Sequence, residues 1–525
     1  MKKGKNSKKG NSGGKNKRSV ASLWPALVLG TACAGAVAAD NESGGSDPAQ
    51  LVSDFKLSGY VRSWASFNLQ DPPETAKSDR GDLSMLRGSL LLDMDTKTGP
   101  LQWKAIGRLD REYKTAYLER LEDQVRRTTP GGPGSHIMDT YNRGELRELY
   151  VDFEPTSRIK MRVGKQQVVW GETDFFRAMD VVNGFDYRWR SFLERENEEL
   201  RKPLILVNTK IDVPEANGNL QLLLRPGLDR DRDIGNTYDM SGGRWALQPN
   251  KGVDFLAPGL LNYNYHSRGA DVDDKTGGVR WSGVAGPVNY SVAYLKTFSN
   301  DPVVNSSFAP HGEAPTGGLG DFIFPKIDLV GVTLSGYASA LDAVLSTELV
   351  YTKDAPYNVG TSFAGGALPG FGGIRRKNVV TTMFRMDKSL NLSRYLGTSR
   401  PSFFSVQVFD KWIQNFSRAD DLVELTGYGA PVKEHTTIVT GILGLNYRND
   451  KINPQLAIGA DVSNGGGFVI PSVELVWGSN WRFVAEADLF FNRRQKRPGQ
   501  VENSTHLFGQ FANNNQLVLR LTRQF

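Results

Sequence analysis

The sequence predicts an all-β chain closed into a transmembrane antiparallel β-barrel of about 18 strands (16–18), with one partly helical loop folded inward. Three observations carry that reading. Apolar and polar residues alternate with period two through segment after segment, the pattern of strands with one oily and one wet face. Short connections alternate with long ones, as periplasmic turns and outer loops do in membrane barrels. After the N-terminal export segment there is no apolar run of 18 residues, and mean hydropathy is −0.39, so membrane-spanning helices are excluded while strands are not.

The N-terminus has the order of a secretory signal. Residues 1–19 are polar and basic, and VASLWPALVLGTACAGAVAA follows as an apolar run rich in small residues. Cleavage after Ala36-Val37-Ala38 or Val37-Ala38-Ala39 fits, placing the cut at Ala38 or Ala39 and the mature start near Asp40. Residues 40–54 then form a periplasmic N-terminal segment and residues 55–525 the barrel. The leader holds eight of the 64 basic residues and no acid, so the mature chain has 56 bases against 57 acids. The net charge of +7 is therefore a targeting device, and no nucleic-acid partner is implied. The single cysteine, Cys33, leaves with the leader, which excludes a disulfide framework and thiol chemistry.

The strands follow in order. FKLSGYVRSWASFNL sets Phe55, Leu57, Val61, Ala65, Phe67 and Leu69 against Lys56, Ser58, Arg62, Ser66 and Asn68. LQWKAIGRLD sets Leu101, Trp103, Ala105 and Leu109 against Gln102, Lys104 and Arg108. SRIKMRVGKQ sets Ile159, Met161 and Val163 against Arg158, Lys160 and Arg162. The same parity runs through Ile205, Val207 and Ile211, through Leu341, Leu345, Leu349 and Tyr351, through Val439, Leu443, Leu445 and Tyr447, and through Trp481, Phe483, Ala485, Leu489 and Phe491. Guanidinium and carboxylate groups on so many wet faces are costly in a dry core and easily placed in an aqueous lumen.

Long connections are expected near 111–144, 169–203, 227–276, 300–325, 353–376, 415–435 and 495–513, with shorter outer loops at 70–81 and 463–467. Counted from a periplasmic N-terminus, these give 18 strands. The final LVLRLTRQF alternates to the last residue, as a strand that closes a barrel against the first strand must. Its terminal Phe525 is the residue type that the barrel assembly machinery recognises, and Arg523 departs from the usual apolar pattern there.

One connection stands apart. Between 169 and 203 lie eight acids (Glu172, Asp174, Asp180, Asp186, Glu194, Glu196, Glu198, Glu199) and six bases (Arg177, Arg188, Arg190, Arg195, Arg201, Lys202), interleaved with Phe175, Phe176, Phe185, Tyr187, Trp189 and Phe192. The S-x-x-E spacing of Ser191 and Glu194, with Pro203 as a stop, predicts a helix over 192–201. Six large aromatics have no use in a solvated loop, so the segment is read as a plug or constriction in the lumen. Trp170, Glu172, Asp174, Phe175, Arg177, Asp180, Asn183, Arg188 and Arg190 are its expected working residues. Glu172 and Asp174 are expected to pair with Arg158, Lys160 and Arg162. Lumen charges are expected at Arg62, Arg108, Arg158, Lys160 and Arg162 on the early strands and at Glu348, Glu474 and Glu486 on the late ones, giving a field across the pore.

GKQQVVWGE followed by DVVN, at Gly164, Lys165, Gln166, Trp170, Gly171, Glu172 and Asp180, Val181, Val182, Asn183, resembles the diagnostic region of the proteobacterial outer-membrane barrel family catalogued as domain of unknown function 1302. The resemblance implies an outer-membrane barrel and leaves the activity open.

No catalytic, cofactor or metal residues are nominated. The five histidines (His136, His266, His311, His435, His506) are scattered, and there is no G-x-S-x-G, H-E-x-x-H or phosphate loop. Asp229, Asp231 and Asp233 have the spacing of a calcium loop, but Ile234 stands where glycine is needed, so a solvated loop is favoured. The expected function is an outer-membrane, porin-like channel of a Gram-negative cell for small, amphiphilic or charged solutes, in contact with lipid. The alternative is a barrel sheath in a trans-envelope export or electron-transfer complex, with an envelope transport partner in its lumen. A scaffold or adhesin acting through its loops is a third reading.

Overall fold

The computed structural model describes residues 53–71, 77–128, 137–194, 196–239, 243–245, 261–309, 313–360, 370–424, 431–492 and 506–525. The expected leader, its cleavage residues Ala38 and Ala39, and most of the 40–54 segment lie outside them. No helix among the described residues is long and apolar enough to cross a membrane.

The described residues form one large closed sheet, with two small sheets of two and three strands in the long connections. Its strands are β1 (Ser53–Asn68), β2 (Leu83–Thr98), β3 (Leu101–Glu112), β4 (Arg143–Thr156), β5 (Ile159–Gln166), β6 (Leu204–Val213), β7 (Gly218–Arg225), β8 (Thr276–Ala285) and β9 (Val288–Phe298). They continue as β10 (Lys326–Ala338), β11 (Ala343–Val359), β12 (Ile374–Leu390), β13 (Ser402–Ile413), β14 (His435–Gly444), β15 (Ile452–Asp461), β16 (Gly467–Trp477), β17 (Trp481–Phe491) and β18 (Gln516–Gln524). Each pairs antiparallel with its sequence neighbour, and β18 returns to β1 in a register running from Tyr60↔Gln524 to Asn68↔Gln516. The result is a closed 18-strand antiparallel barrel. A two-residue strand, Leu422–Val423, adds to the end of β11 at the mouth. Closure leaves no open sheet edge, the condition for strands to sit in lipid.

Side-chain direction follows the predicted parity. Phe55, Leu57 and Val61 on β1, Leu222 and Leu224 on β7, and Leu517 and Leu521 on β18 are exposed outward. Tyr60, Arg62, Trp64 and Ser66 face inward and are buried. One bulge, between Ile106/Gly107 of β3 and β4, shifts the count so that both Arg147 and Glu148 reach the interior side. Aromatic rings mark both ends of the outward band, as interfacial girdles do. At the short-turn end Trp477 stacks on Trp481 at 6.1 Å, and Trp281 donates to the Tyr290 hydroxyl at 3.1 Å. At the other end Trp412 stacks on His435 at 5.9 Å. Arg523, the departure from apolar parity on β18, lies over the Trp481 ring at 5.6 Å.

The long connections fall on one end and the short turns on the other, as expected. Two details differ. The connection expected over 353–376 is shorter, because β11 and β12 carry on as a two-stranded extension to Val359 and from Ile374. The connection after β3 carries a helix, α1 (Ala116–Thr128), that was not anticipated. Its Tyr117, Leu118 and Leu121 are buried against Trp64, Met85 and Trp189, so the helix caps the lumen instead of projecting away.

Candidate functional site

The segment between β5 and β6 lies inside the barrel, because its side chains bond to inward-facing wall residues. It begins and ends at a tight root. Gln166, fully buried, donates to the Leu206 carbonyl at 3.1 Å. Asn183, also fully buried, accepts from the Val168 N–H at 2.9 Å and donates to the Lys202 carbonyl at 2.8 Å, tying the outgoing limb to the returning one. Lys202 donates to the carbonyls of Arg232 and Ile234 and to Thr237 Oγ1 at 2.9–3.0 Å. The glycines here are steric. Gly164 has φ +131°, and an added Cβ would lie 2.3 Å from the Leu149 carbonyl oxygen. A Cβ on Gly171 would crowd the Asp180 N–H at 2.9 Å and Glu348 Oε1 at 3.1 Å. The motif that carries the family resemblance thus forms the tightly packed root of this inner segment.

Beyond the root the plug meets two unlike walls. On the side of β1–β4, Arg62 pairs with Glu199 at 2.6 Å and Glu196 at 3.3 Å, and the Tyr60 hydroxyl donates to Glu199 at 2.8 Å. Arg108 donates to the Glu199 carbonyl at 3.0 Å and pairs with Glu145 at 2.9 Å. Arg147 donates to the Arg201 carbonyl at 2.8 Å. Arg190 pairs with Glu486 of β17, Arg520 pairs with Glu194 at 3.4 Å, and both guanidinium groups lie over Trp64, at 5.2 and 5.1 Å. Burial raises the carboxyl pKa of Asp186, but Arg188 and Arg143 outweigh it and hold the group well below the usual carboxylate range. For Glu196, burial pushes the pKa up; Arg62 opposes the rise and Glu199 reinforces it, leaving it raised from 4.5 to about 7.

On the side of β14–β17 the segment packs on an apolar cluster. Phe175 and Phe192 pack on Phe468 at 5.3 and 5.8 Å, and Phe192 also meets Phe490, Phe508 and Phe511 at 5.7–6.3 Å. Ile442, Ala457 and Ile470 complete the cluster. Between the two walls lies one turn of the segment, residues 172–179, bonded to three wall side chains. Glu348 of β11 accepts from the Glu172 N–H at 2.6 Å and from the Met179 N–H at 2.8 Å. Arg385 of β12 donates to the Glu172 carbonyl at 2.7 Å and pairs with Asp174 at 3.3 Å, and Gln407 of β13 donates to Asp174.

The expected residues come together with several corrections. Trp170, buried, donates to Gln221 at 3.1 Å; Arg177 donates to the Tyr187 hydroxyl at 2.8 Å; Asp180 pairs with Arg201; Arg188 pairs with Asp186 at 2.9 Å. Glu172 and Asp174 do not pair with Arg158, Lys160 and Arg162. Those bases sit lower on the wall and take strand neighbours: Arg158 takes Glu215 at 2.7 Å, Lys160 takes Asp212 at 3.3 Å, and Arg162 takes Asp152 at 2.7 Å. The charge field expected across the pore is largely cancelled by such local pairs, Glu474 with Arg482 at 3.4 Å among them. The helix expected over 192–201 is broken into a 3-10 turn (Ser191–Leu193) and one helical turn (Asn197–Leu200). Glu194 turns to Arg520 instead of folding back on Ser191, whose φ is +52°, so the capping box does not form. Asp229, Asp231 and Asp233 diverge towards Arg225, His266 and Lys165.

Sequence reasoning missed the Glu348 latch, the grip of Arg62 on Glu196 and Glu199, and the inward apolar wall. The wall left a signal: GFVIPSVELVW carries apolar residues on both parities, the mark of a strand covered on both faces.

The family model described as "Protein of unknown function (DUF1302)" matches residues 20–525. No curated protein matches the sequence. Among solved structures, Acinetobacter baumannii OccAB1 is similar at 10% identity and TM-score 0.43, covering 90% of this chain and 97% of its own. Pseudomonas aeruginosa OccK1 (OpdK) gives 9% and 0.42, with coverage of 90% and 98%. The Acinetobacter baumannii outer-membrane channel DcaP gives 10% and 0.38, with coverage of 92% and 100%. Likenesses this distant carry no argument about function; the barrel rests on its own strand pairings. By the family match, which spans nearly the whole chain, the protein belongs to the DUF1302 family.

Proposed function

We propose that the protein is an outer-membrane, porin-like channel of a Gram-negative cell, exported by its leader and seated in lipid by the barrel assembly machinery, that passes small amphiphilic or charged solutes under control of the plug. The observation that carries this reading is a pair of cavities on opposite sides of one plug turn. A cavity of about 350 Å³ on the long-loop side is lined by Phe175, Phe176, Arg177 and Ala178. A second of about 250 Å³, towards the short turns, is lined by Glu172 of the same turn. The larger one joins aromatic rings (Phe176, Phe192, Phe409, Tyr238) to the bases Lys411, Lys433 and Arg177 and the acids Asp301, Asp410, Glu424 and Asp461, a lining suited to a solute with an apolar body and a charged end. The wall Glu348 that fastens the turn makes it the natural gate. The sheath alternative is disfavoured, because the chain's own segment occupies the space a partner protein would need.

Planar-bilayer recording of the purified full chain tests the proposal. Discrete conductance steps are expected, rising several-fold when residues 172–200 are deleted. Silence of both proteins, with folding verified by heat-modifiable gel migration, would overturn it.

A further inference from the structure

Arg62, Arg108, Arg147 and Arg190, inward-facing and described above, have carboxylate or carbonyl partners. Arg280 of β8 is different. It makes no ion pair or hydrogen bond among the described residues; its Nε is buried without a partner there, and its guanidinium lies over the Trp170 ring at 6.0 Å. It lines the cavity of about 250 Å³ below the plug turn, and so does Glu172. The backbone of Glu172 is engaged by Glu348 and Arg385, but its side chain is exposed and its carboxylate makes no hydrogen bond or ion pair among the described residues. Asn219, Ser282 and Asn289 supply neutral polar groups around them.

An unpaired guanidinium and an unpaired carboxylate, close enough to feel each other yet not in contact, set a charge code. A simple anion drawn by Arg280 is repelled by Glu172, and a simple cation meets the reverse. A solute bearing both charges satisfies both groups and replaces the water they would otherwise hold. The fork of the guanidinium suits a planar carboxylate, which it grips with two parallel bonds. We propose that Arg280 and Glu172 form a binding site for a small zwitterion on the short-turn side of the gate, Arg280 taking the carboxylate and Glu172 the ammonium. The site rests on the channel reading, for which it supplies the solute class. It also couples occupancy to the gate: the residue that takes the ammonium belongs to the turn that Glu348 latches.

Three probes of one skeleton test the site by titration calorimetry on the full chain in detergent: β-alanine, propionate (which lacks the amine) and propylamine (which lacks the carboxylate). β-Alanine is expected to bind at least tenfold more tightly than either of the others. Arg280→Gln and Glu172→Gln should each weaken it at least tenfold, with the heat-modifiable migration of a folded barrel retained. Propionate binding as tightly as β-alanine, or both variants binding β-alanine like the parent, would overturn the site. Calorimetry needs no conduction, so the two proposals fail separately. A barrel that binds β-alanine and never conducts refutes the channel alone; one that conducts and binds none of the probes refutes the site alone.

Discussion

The plug stands on two footings made of opposite materials. On β1–β4 it is held by polar bonds, the ion pair of Arg62 with Glu199 and the hydrogen bond of Arg108 to the Glu199 carbonyl among them. On β14–β17 it is held by rings, Phe175 and Phe192 against Phe468 and Phe490. Both sets are buried, but they respond to different variables. Aromatic packing is insensitive to pH and salt, whereas buried pairs depend on the protonation of each member and are costly to break one-sidedly. The plug is therefore fixed on one side and adjustable on the other, and the Glu348 latch lies between.

The largest effect should come from breaking the apolar footing. Phe192→Asp places an unpaired carboxylate among Phe468, Phe508 and Phe511 and removes a buried ring, a change on the order of 3–5 kcal/mol for the packing alone. Bilayer recordings should show a lasting rise in conductance, with the barrel itself intact by heat-modifiable migration. A parental trace would mean the ring cluster does not hold the plug.

Next comes the latch. Glu348→Ala leaves the N–H groups of Glu172 and Met179 without their acceptor, at a cost of roughly 1–3 kcal/mol for each group that stays unpaired. Frequent brief openings are expected, and Glu348→Gln, which keeps one acceptor oxygen, should fall between. Equal traces from all three proteins would place the gate elsewhere.

The polar footing should answer to pH. Because the carboxyl of Glu196 is raised from 4.5 to about 7 in the folded plug, the protonated form is the favoured one there. Its stabilising contribution is complete below the ordinary carboxylate pKa and is lost as pH rises through about 7. Current noise should accordingly grow between pH 5 and about 8, and Glu196→Gln should remove that dependence. A parent whose noise is flat across this range would contradict the assignment.

The smallest effect is expected away from both footings. Arg158 and Glu215 are more than half exposed, so Arg158→Gln should change stability by under about 1 kcal/mol and leave reversal potential where it was. A clear shift in reversal potential would restore Arg158 to the ion path.

The strand count, the alternation of turns and loops and the outward parity could all be read in the sequence, because each is local or periodic. Leu57 and Val61 point outward for the same reason that Arg62 points inward: the pleat allows nothing else. Partners across the lumen were not legible. Whether Asp174 meets Arg162 or Arg385 depends on how far the plug turn travels, which neither spacing nor composition encodes. The apolar inner wall was hidden by the assumption that every lumen face is wet. Phe468, Ile470 and Phe490 contradict that assumption only when both parities of a strand are read together. Arg280 gave no sign at all, since an arginine without a partner looks in sequence like one with a partner.

The seam between β1 and β18 gives the plug a part in the order of assembly. Arg62 on β1 binds Glu199 and also donates to Thr522 of β18 at 3.1 Å, while Arg520 of β18 binds Glu194. The two strands that meet last along the chain thus each bring part of one docking surface, and the segment that fills it is made long before β18. Joining residues so distant in sequence is a slow, entropically opposed step. An inner segment already seated on β1 offers the arriving strand a second set of contacts beside the backbone ladder, so the same segment serves as a clasp that helps the barrel close.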